Sequence, residues 1–238
     1  MKLDVLVFAA HPDDAELACG GTLLSLAAQG KKVGVVDFTR GEMGTRGTPE
    51  IREAESAAAS EILRLTVREN LGFKDVYFQN DEEHVLAVVE KIRQYQPQTI
   101  LANALSDRHP DHGKAAEVVK RALFWAGLQK IETSHDGESQ PIWRAQNMYH
   151  YIQTDWHKPD FVVDVSEYWD RRMDAVRAFK SQFFTPGGEE SNTLISSPEF
   201  MELLEARGRE FGMSIRCKYG EGFVTDRALG VSDLLSLL

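Results

Sequence analysis

Apolar residues follow two spacings along this chain. Short unbroken runs, Leu3–Ala10, Val33–Phe38 and Thr99–Ala102, have the length and β-branched content of buried strands. Between and after them, Glu16–Gln29, Pro49 to about Leu65, Asp81–Tyr95 and Lys114–Leu128 repeat their apolar positions at helical spacing. Gly30 closes the first of these helices, and Pro49 suits the first turn of the second, where its missing N–H costs nothing. Strands alternating with helices over about 130 residues imply right-handed βαβ crossovers and a parallel sheet covered on both faces. After Gly127 the alternation loosens. Gln146–Gln153 and Asp160–Val165 read as further strands, Tyr168–Ser181 and Pro198–Phe211 as helices, and Thr185–Ser191, with Pro186-Gly187-Gly188, as the most loop-like stretch. No repeat or low-complexity linker divides the chain. The expected architecture is therefore one α/β domain over residues 1–238: a Rossmann-like, mostly parallel sheet with helices on both faces and a C-terminal elaboration.

That architecture gives meaning to two polar clusters. The first strand runs directly into His11-Pro12-Asp13-Asp14, and groups just past the carboxyl end of a parallel strand face the crevice where ligands bind. One aspartate there could simply cap the next helix, but a cap leaves His11 and the second carboxylate unexplained. Asp107-Arg108-His109-Pro110-Asp111-His112 follows the strand Thr99–Ala102 in an equivalent position. If the two strands are neighbours, His11, Asp14 and one histidine of the second cluster converge. Two imidazoles and a carboxylate, with a position left for water, are the donors of a catalytic zinc site, and neither cluster offers the cysteines of a closed structural one. Adjacent residues on such a turn point differently, so Asp13 and Asp14 are not both expected to ligate.

Composition narrows the partners. Lys and Arg total 27 against 37 Asp and Glu, a net charge of −10, which repels a phosphate backbone, so no nucleic-acid partner is expected. The longest apolar runs fall well short of the roughly 18–20 residues that span a bilayer, and Met1-Lys2-Leu3-Asp4 does not resemble a signal peptide. The only two cysteines, Cys19 and Cys217, form no disulfide framework. A cytoplasmic protein without a membrane partner is expected. A nucleotide-binding reading is disfavoured, because the chain lacks G-x-G-x-x-G and P-loop motifs and follows its first strand with carboxylates. His84, in an acidic helix start, reads as solvated, His135 as part of a polar loop, and His150 and His157 as packing residues. Phe183, Phe184, Phe211 and Phe223 could line either the cleft or an interface. Thr39–Gly44, glycine-rich after a strand, is expected to line the cleft.

His11-Pro12-Asp13-Asp14 together with His109-Pro110-Asp111-His112 resembles the two signature motifs of the LmbE/PIG-L-like zinc N-deacetylases. Lys218–Phe223 and the chain length look like the bacillithiol-biosynthesis branch, which acts on N-acetylglucosaminyl malate. The resemblance implies removal of an acetyl group from an N-acetylglucosamine conjugate, with Zn2+ (or another divalent metal) held by His11, Asp14 and His112. It makes Asp13 the general base, His109 the group that stabilises or protonates the tetrahedral intermediate, and Asp111 the carboxylate orienting His109. It also implies a homo-oligomer and a small-molecule N-acetylated sugar partner, with a chito-oligosaccharide as the alternative substrate. Arg52 resembles a family arginine near the acyl or sugar site; the alternative is an exposed helix arginine paired with Glu55 or a neighbouring acid. Arg108 could meet a substrate carboxylate or pair with Asp107 or Asp111. Arg40, Arg46, Arg216 and Lys218 are further cations for an anionic substrate.

Overall fold

A computed structural model describes residues 1–184, 193–231 and 233–237; the expected loop Thr185–Ser191 lies outside the described residues. The strands are β1 (Val5–Ala9), β2 (Val33–Thr39), β3 (Val67–Phe73), β4 (Thr99–Ala102), β5 (Ser134–His135), β6 (Glu138–Ser139), β7 (Asn147–Tyr151), β8 (Phe161–Asp164) and β9 (Gly220–Val224). The helices are α1 (Asp14–Ala28), α2 (Pro49–Leu63), α3 (Glu82–Tyr95), α4 (Pro110–Ala126), α5 (Trp169–Arg177) and α6 (Pro198–Ser214). Seven strands form one sheet in the order β3-β2-β1-β4-β7-β9-β8, in which β9 alone runs antiparallel to both its neighbours. The α/β sheet, mostly parallel, is thus as expected.

Strand β1 sits between β2 and β4, with Val5 opposite both Val33 and Thr99. The chain leaves β1 in one direction toward β2 and returns on the other side at β4, which makes the β1/β4 boundary the switch point of the sheet. Pleating then sorts the side chains of β1. Leu6 and Phe8 join Val88, Val118 and Ile100 in the core beneath α3 and α4, while Val5 and Val7 join Leu23, Leu101 and Leu63 beneath α1 and α2. A third apolar cluster, built from Trp169, Phe183, Phe200 and Tyr219, fastens α5 and α6 to the second face.

Three elements were invisible in the pattern. Strand β3 alternates charged and polar residues, Arg68, Glu69 and Asn70, because it is a half-exposed edge. Strand β9 carries Gly220 and Gly222 at places where no side chain fits: a Cβ on Gly220 would lie 2.5 Å from Val162 Cγ1, and one on Gly222 2.9 Å from Phe211. The Lys218–Phe223 segment is therefore shaped by packing between β8 and α6. The hairpin β5–β6 turns on Asp136-Gly137, both at positive φ, a turn chemistry suited to tight hairpins. Helix α4 begins earlier than the spacing predicts, since Pro110 takes its first turn and the His109 ring caps it by accepting from the Asp111 N–H at 3.3 Å. Helix α5 ends at Arg177 rather than Ser181.

His84 departs from its solvated reading: its ring packs edge-on against Phe73 at 4.5 Å and contacts Asp81 at 2.7 Å. Phe183, Phe211 and Phe223 are core residues, lining neither the cleft nor an exposed face. Among the described residues no helix is long and apolar enough to cross a membrane.

Candidate metal and catalytic site

The two clusters meet because β1 and β4 are hydrogen-bonded neighbours. Beyond β1 the chain folds back at once: Asp14 N–H reaches His11 O at 3.3 Å, and His11 N–H donates to Asp14 Oδ2 at 3.0 Å. Asp13, between them, is forced to φ 112°, a conformation side-chain-bearing residues avoid. Beyond β4, Asn103 starts a loop that returns His109 and His112 to the first turn of α4.

The hydrogen bonds decide which nitrogen of each ring is available. His11 Nε2 lies 3.0 Å from Asp75 Oδ1, so it carries the proton and donates, leaving the lone pair on Nδ1, 3.7 Å from Asp14 Oδ2. His112 Nδ1 lies 2.5 Å from Asp107 Oδ2, which leaves its lone pair on Nε2, 3.2 Å from Asp14 Oδ1. Each imidazole is thus held by a carboxylate on its far side and presents a bare nitrogen to a third carboxylate, the outer support typical of metal-binding histidines. Two acceptors facing each other at 3.2 Å repel unless a proton or a cation lies between them. This donor set fits a divalent cation held by His11, Asp14 and His112.

Among the described residues, two groupings other than His11, Asp14 and His112 bring one donor atom per residue within 4.8 Å of one another, a spacing that trio itself does not meet: His11, His109 and His112, and His11, Asp75 and Asp111. In the second, the carboxylates are already engaged, Asp75 with Met43 N–H at 3.1 Å, and Asp111 with Val76 N–H at 3.0 Å and Lys114 Nζ at 3.1 Å. The His109 ring lies 4.6 Å from that of His11 and 5.2 Å from that of His112, centre to centre. Asp111 meets His109 only through its backbone N–H. Its carboxylate turns instead to Val76, Lys114 and the His11 ring, 3.6 Å away, because that N–H caps α4 and aims the side chain at the β3–α3 loop.

Electrostatics follows from burial and charge. Burial would pull His112 down, but Asp14 and Asp107 outweigh it and hold the ring up at about 9. Burial likewise opposes the charged form of His11, and Asp111, Asp14 and Asp75 reverse the effect. Asp14 is held well below its usual range by His112 and His11 against the cost of burial. A cation would take the place of these protons, since a coordinated imidazole must be neutral. Burial pushes Asp13 up to about 7 against the pull of Arg52. His109 is lowered by burial and then by the two positive rings beside it.

Arg52 is buried, not an exposed partner of Glu55; its Nη2 lies 2.8 Å from Asp13 Oδ2 and also bonds the Pro12 carbonyl. Glu55 instead accepts from Ser181 N–H and Oγ. These groups line a cleft of about 350 Å³. Arg108 is exposed on its wall, and among the described residues its side chain pairs with neither Asp107 nor Asp111. Met43 and Gly44 line the cleft as expected of the Thr39–Gly44 loop, and so does Arg46. Arg40, Arg216 and Lys218 do not.

A family model described as PIG-L, GlcNAc-PI de-N-acetylase, matches residues 6–123. The diacetylchitobiose deacetylase of Thermococcus kodakarensis is 30% identical over 191 residues, covering 75% of this chain and 70% of that one. A probable N-acetyl-alpha-D-glucosaminyl L-malate deacetylase 2 of Bacillus cereus is 30% identical over 195 residues, covering 76% and 84%. The chain belongs to the PIG-L family. The fold agrees, superposing on the crystal structure of a conserved protein of Thermus thermophilus with a TM-score of 0.85 at 37% identity, over 97% of this chain and 98% of that one.

The PIG-L match spans both His-Pro-Asp clusters but stops at residue 123. Gln153, Gln182 and Arg207 come from beyond it and complete the cleft. Sequence reasoning missed Asp75, Asn103, Gln153 and Arg207, and gave Asp107 no role beyond an alternative partner for Arg108, whereas it holds His112. Asn103 and Gln153 did carry a signal, as polar residues one and two places past the ends of β4 and β7.

Proposed function

We propose that this PIG-L chain is a divalent-metal-dependent N-deacetylase, with zinc as its metal and N-acetyl-alpha-D-glucosaminyl L-malate as its substrate. The observation that carries the reading is that His11 Nδ1 and His112 Nε2 both face the Asp14 carboxylate, at 3.7 Å from Oδ2 and 3.2 Å from Oδ1, beside a second, buried carboxylate, Asp13. A cation held by His11, Asp14 and His112 would supply a Lewis acid that polarises the acetamide carbonyl and acidifies the attacking water.

The chain's own groups do the rest. Asp13, fixed by Arg52, accepts the proton that the water sheds as it attacks. When protonated, His109 faces the developing oxyanion and then passes its proton to the departing amine, so that water and amide become acetate and amine. The Asp75 and Asp107 carboxylates keep His11 and His112 in the tautomers that leave the inner nitrogens bare. Arg46, Arg108 and Arg207 give the wall of the cleft a positive lining in a protein of net charge −10, which suits the two carboxylates of a malate glycoside. The Bacillus cereus relative supports that choice, and the Thermococcus kodakarensis relative supports a chito-oligosaccharide as the competing substrate.

The test is amine release from the malate glycoside, diacetylchitobiose and free N-acetylglucosamine, by metal-loaded and chelator-stripped protein. Loss of activity on stripping and the highest kcat/KM on the malate glycoside are expected. Deacetylation that survives complete metal removal overturns the metal assignment, and equal or faster turnover of diacetylchitobiose overturns the malate assignment.

A further inference from the structure

Asp14 is surrounded by donors that lie outside the two His-Pro-Asp clusters. Asn103 follows β4, and Gln153 lies two residues beyond β7, which pairs with β4 in register Ala102 to His150. Both side chains are buried. The orientation of each amide is dictated by backbone groups that can only donate. Ala10 N–H donates to Asn103 Oδ1 at 2.9 Å, which turns Asn103 Nδ2 toward Asp14 Oδ2 at 3.0 Å and Gln153 Oε1 at 3.0 Å. Ala104 N–H also donates to Gln153 Oε1, at 3.3 Å, which turns Gln153 Nε2 toward Asp14 Oδ1 at 2.9 Å. Behind them His150 Nδ1 bonds the Asn103 carbonyl at 2.8 Å. The two amides form a rigid pair, each holding the other and both holding one carboxylate.

Counting lone pairs shows what this pair does. A carboxylate has about four acceptor positions, two on each oxygen. On Asp14 Oδ2 both are taken, by His11 N–H and by Asn103. On Oδ1 one is taken by Gln153, and the remaining one faces His112 Nε2. We infer that Gln153, seated by Asn103, is a positioning residue that leaves Asp14 one lone pair, so that it binds a cation through Oδ1 alone. The inference rests on the reading of Asp14 as a metal ligand. Chelation through both oxygens would require opening Oδ2, where the buried Asn103 bond would break and strand its N–H group at a cost of about 1–3 kcal/mol. The clamp therefore selects small cations of low coordination number, such as zinc, over calcium, which favours six to eight oxygens with carboxylates often bidentate.

Metal binding without substrate tests this. Zinc affinity by chelator competition, and the visible spectrum of the cobalt(II)-substituted protein, are compared between the unaltered chain and Gln153→Leu, which keeps bulk but donates nothing. Zinc binding by Gln153→Leu is expected to be roughly 10–100-fold weaker, the usual consequence of losing an outer-shell partner. The intense cobalt absorption of a four- or five-coordinate ion is expected to fade toward the weak bands of six-coordination as Asn103, no longer held by Gln153 Oε1, releases Oδ2 and lets Asp14 offer both oxygens. Equal zinc affinity together with an unchanged cobalt spectrum in Gln153→Leu overturns the inference while leaving the metal site itself intact. Failure of the unaltered chain to bind either ion overturns instead the assignment of Asp14 as a ligand. Should Gln153→Leu not fold, Gln153→Ser, which is too short to reach Asp14, carries the same comparison with the same outcomes.

Discussion

Helix α1 touches two buried charge clusters, and they have opposite characters. Arg68 lies between Glu16 and Asp37, with Nη1 2.6 Å from Glu16 Oε1, and Nε and Nη2 at 2.8 and 3.1 Å from the two Asp37 oxygens. Apart from Glu16 Oε2, every polar atom there that is closed to solvent has a partner, and the fork of the guanidinium matches the carboxylate it grips. Two residues earlier in the helix, Asp14 faces His112 with acceptor against acceptor. Both clusters are removed from water and both combine acids with bases. Buried charge therefore does not by itself mark a reactive site. What marks one is a place where lone pairs converge and the fold supplies fewer donors than they can use, here the single Gln153 side-chain amide set against both Asp14 Oδ1 and His112 Nε2.

The sharpest way to break this comparison is to remove a convergent donor. In His112→Ala, deacetylation is expected to fall to background and bound metal to be lost, checked by acetate release and by metal analysis of the purified protein. The thermal midpoint of the metal-free protein should also fall, because Asp14 and Asp107 lose the imidazole that offsets their burial. Retention of stoichiometric metal by His112→Ala would show that the cation sits elsewhere, among His11, Asp75 and Asp111. The next effect separates holding a cation from moving a proton. Asp13→Asn preserves an acceptor for Arg52 but removes the base, so kcat should drop about 10²–10⁴-fold with metal content unchanged. A near-native rate would move the base role away from Asp13.

How much of this was legible depended on where a residue's partners lie. The parallel core could be read because β1, β2 and β4 are buried on both faces and so appear as unbroken apolar runs. His11, Asp13, Asp14, His109 and His112 could be located because strand ends in such sheets have a fixed relation to the crevice. Asp75 could not, since β3 is an edge strand whose Arg68 and Glu69 erase the apolar run that would have announced it. Gln153 and Asn103 gave no motif because each is defined by bonds spanning 50 to 139 residues of chain. The resemblance made Asp111 the carboxylate orienting His109, whereas the capping geometry of α4 turns its side chain to Val76 and Lys114. Local chemistry was readable, and tertiary pairing of polar groups was not.

The closed cluster answers to a different measurement. Arg68→Met keeps the volume of the side chain and removes its charge, leaving Glu16 and Asp37 buried without a counter-ion. Breaking such a group by deleting one partner costs about 3–5 kcal/mol, so a lower denaturant midpoint with unchanged slope is expected. Metal affinity per folded molecule should stay as it was, whereas His112→Ala loses it. A variant that lost metal while keeping its stability would erase the distinction between the clusters.

The smallest effect concerns the backbone around the open cluster. Six non-glycine residues adopt positive φ among those described, and four of them, Arg64, Gln96, Asp136 and Arg216, sit at helix ends or in the hairpin turn, where that conformation closes an element. The other two, Asp13 and Val76, both line the cleft. Val76, at φ 70°, is β-branched and about half exposed, so its side chain gains little from burial. What holds it is the peptide on either side: its N–H donates to Asp111 and its carbonyl accepts from Lys114 at 3.2 Å. A left-handed conformation costs a side-chain-bearing residue about 1–2 kcal/mol, and glycine escapes that cost but loses about 0.5–1 kcal/mol of chain entropy on folding. Val76→Gly should therefore raise stability slightly, by at most about 1 kcal/mol, read as a small upward shift of the thermal midpoint. The sign is the informative part, since trimming a half-exposed valine elsewhere on the surface lowers stability or leaves it alone. A lowered midpoint would mean that the turn is relaxed as it stands, and that the open cluster differs from the closed one in its lone pairs but not in its backbone.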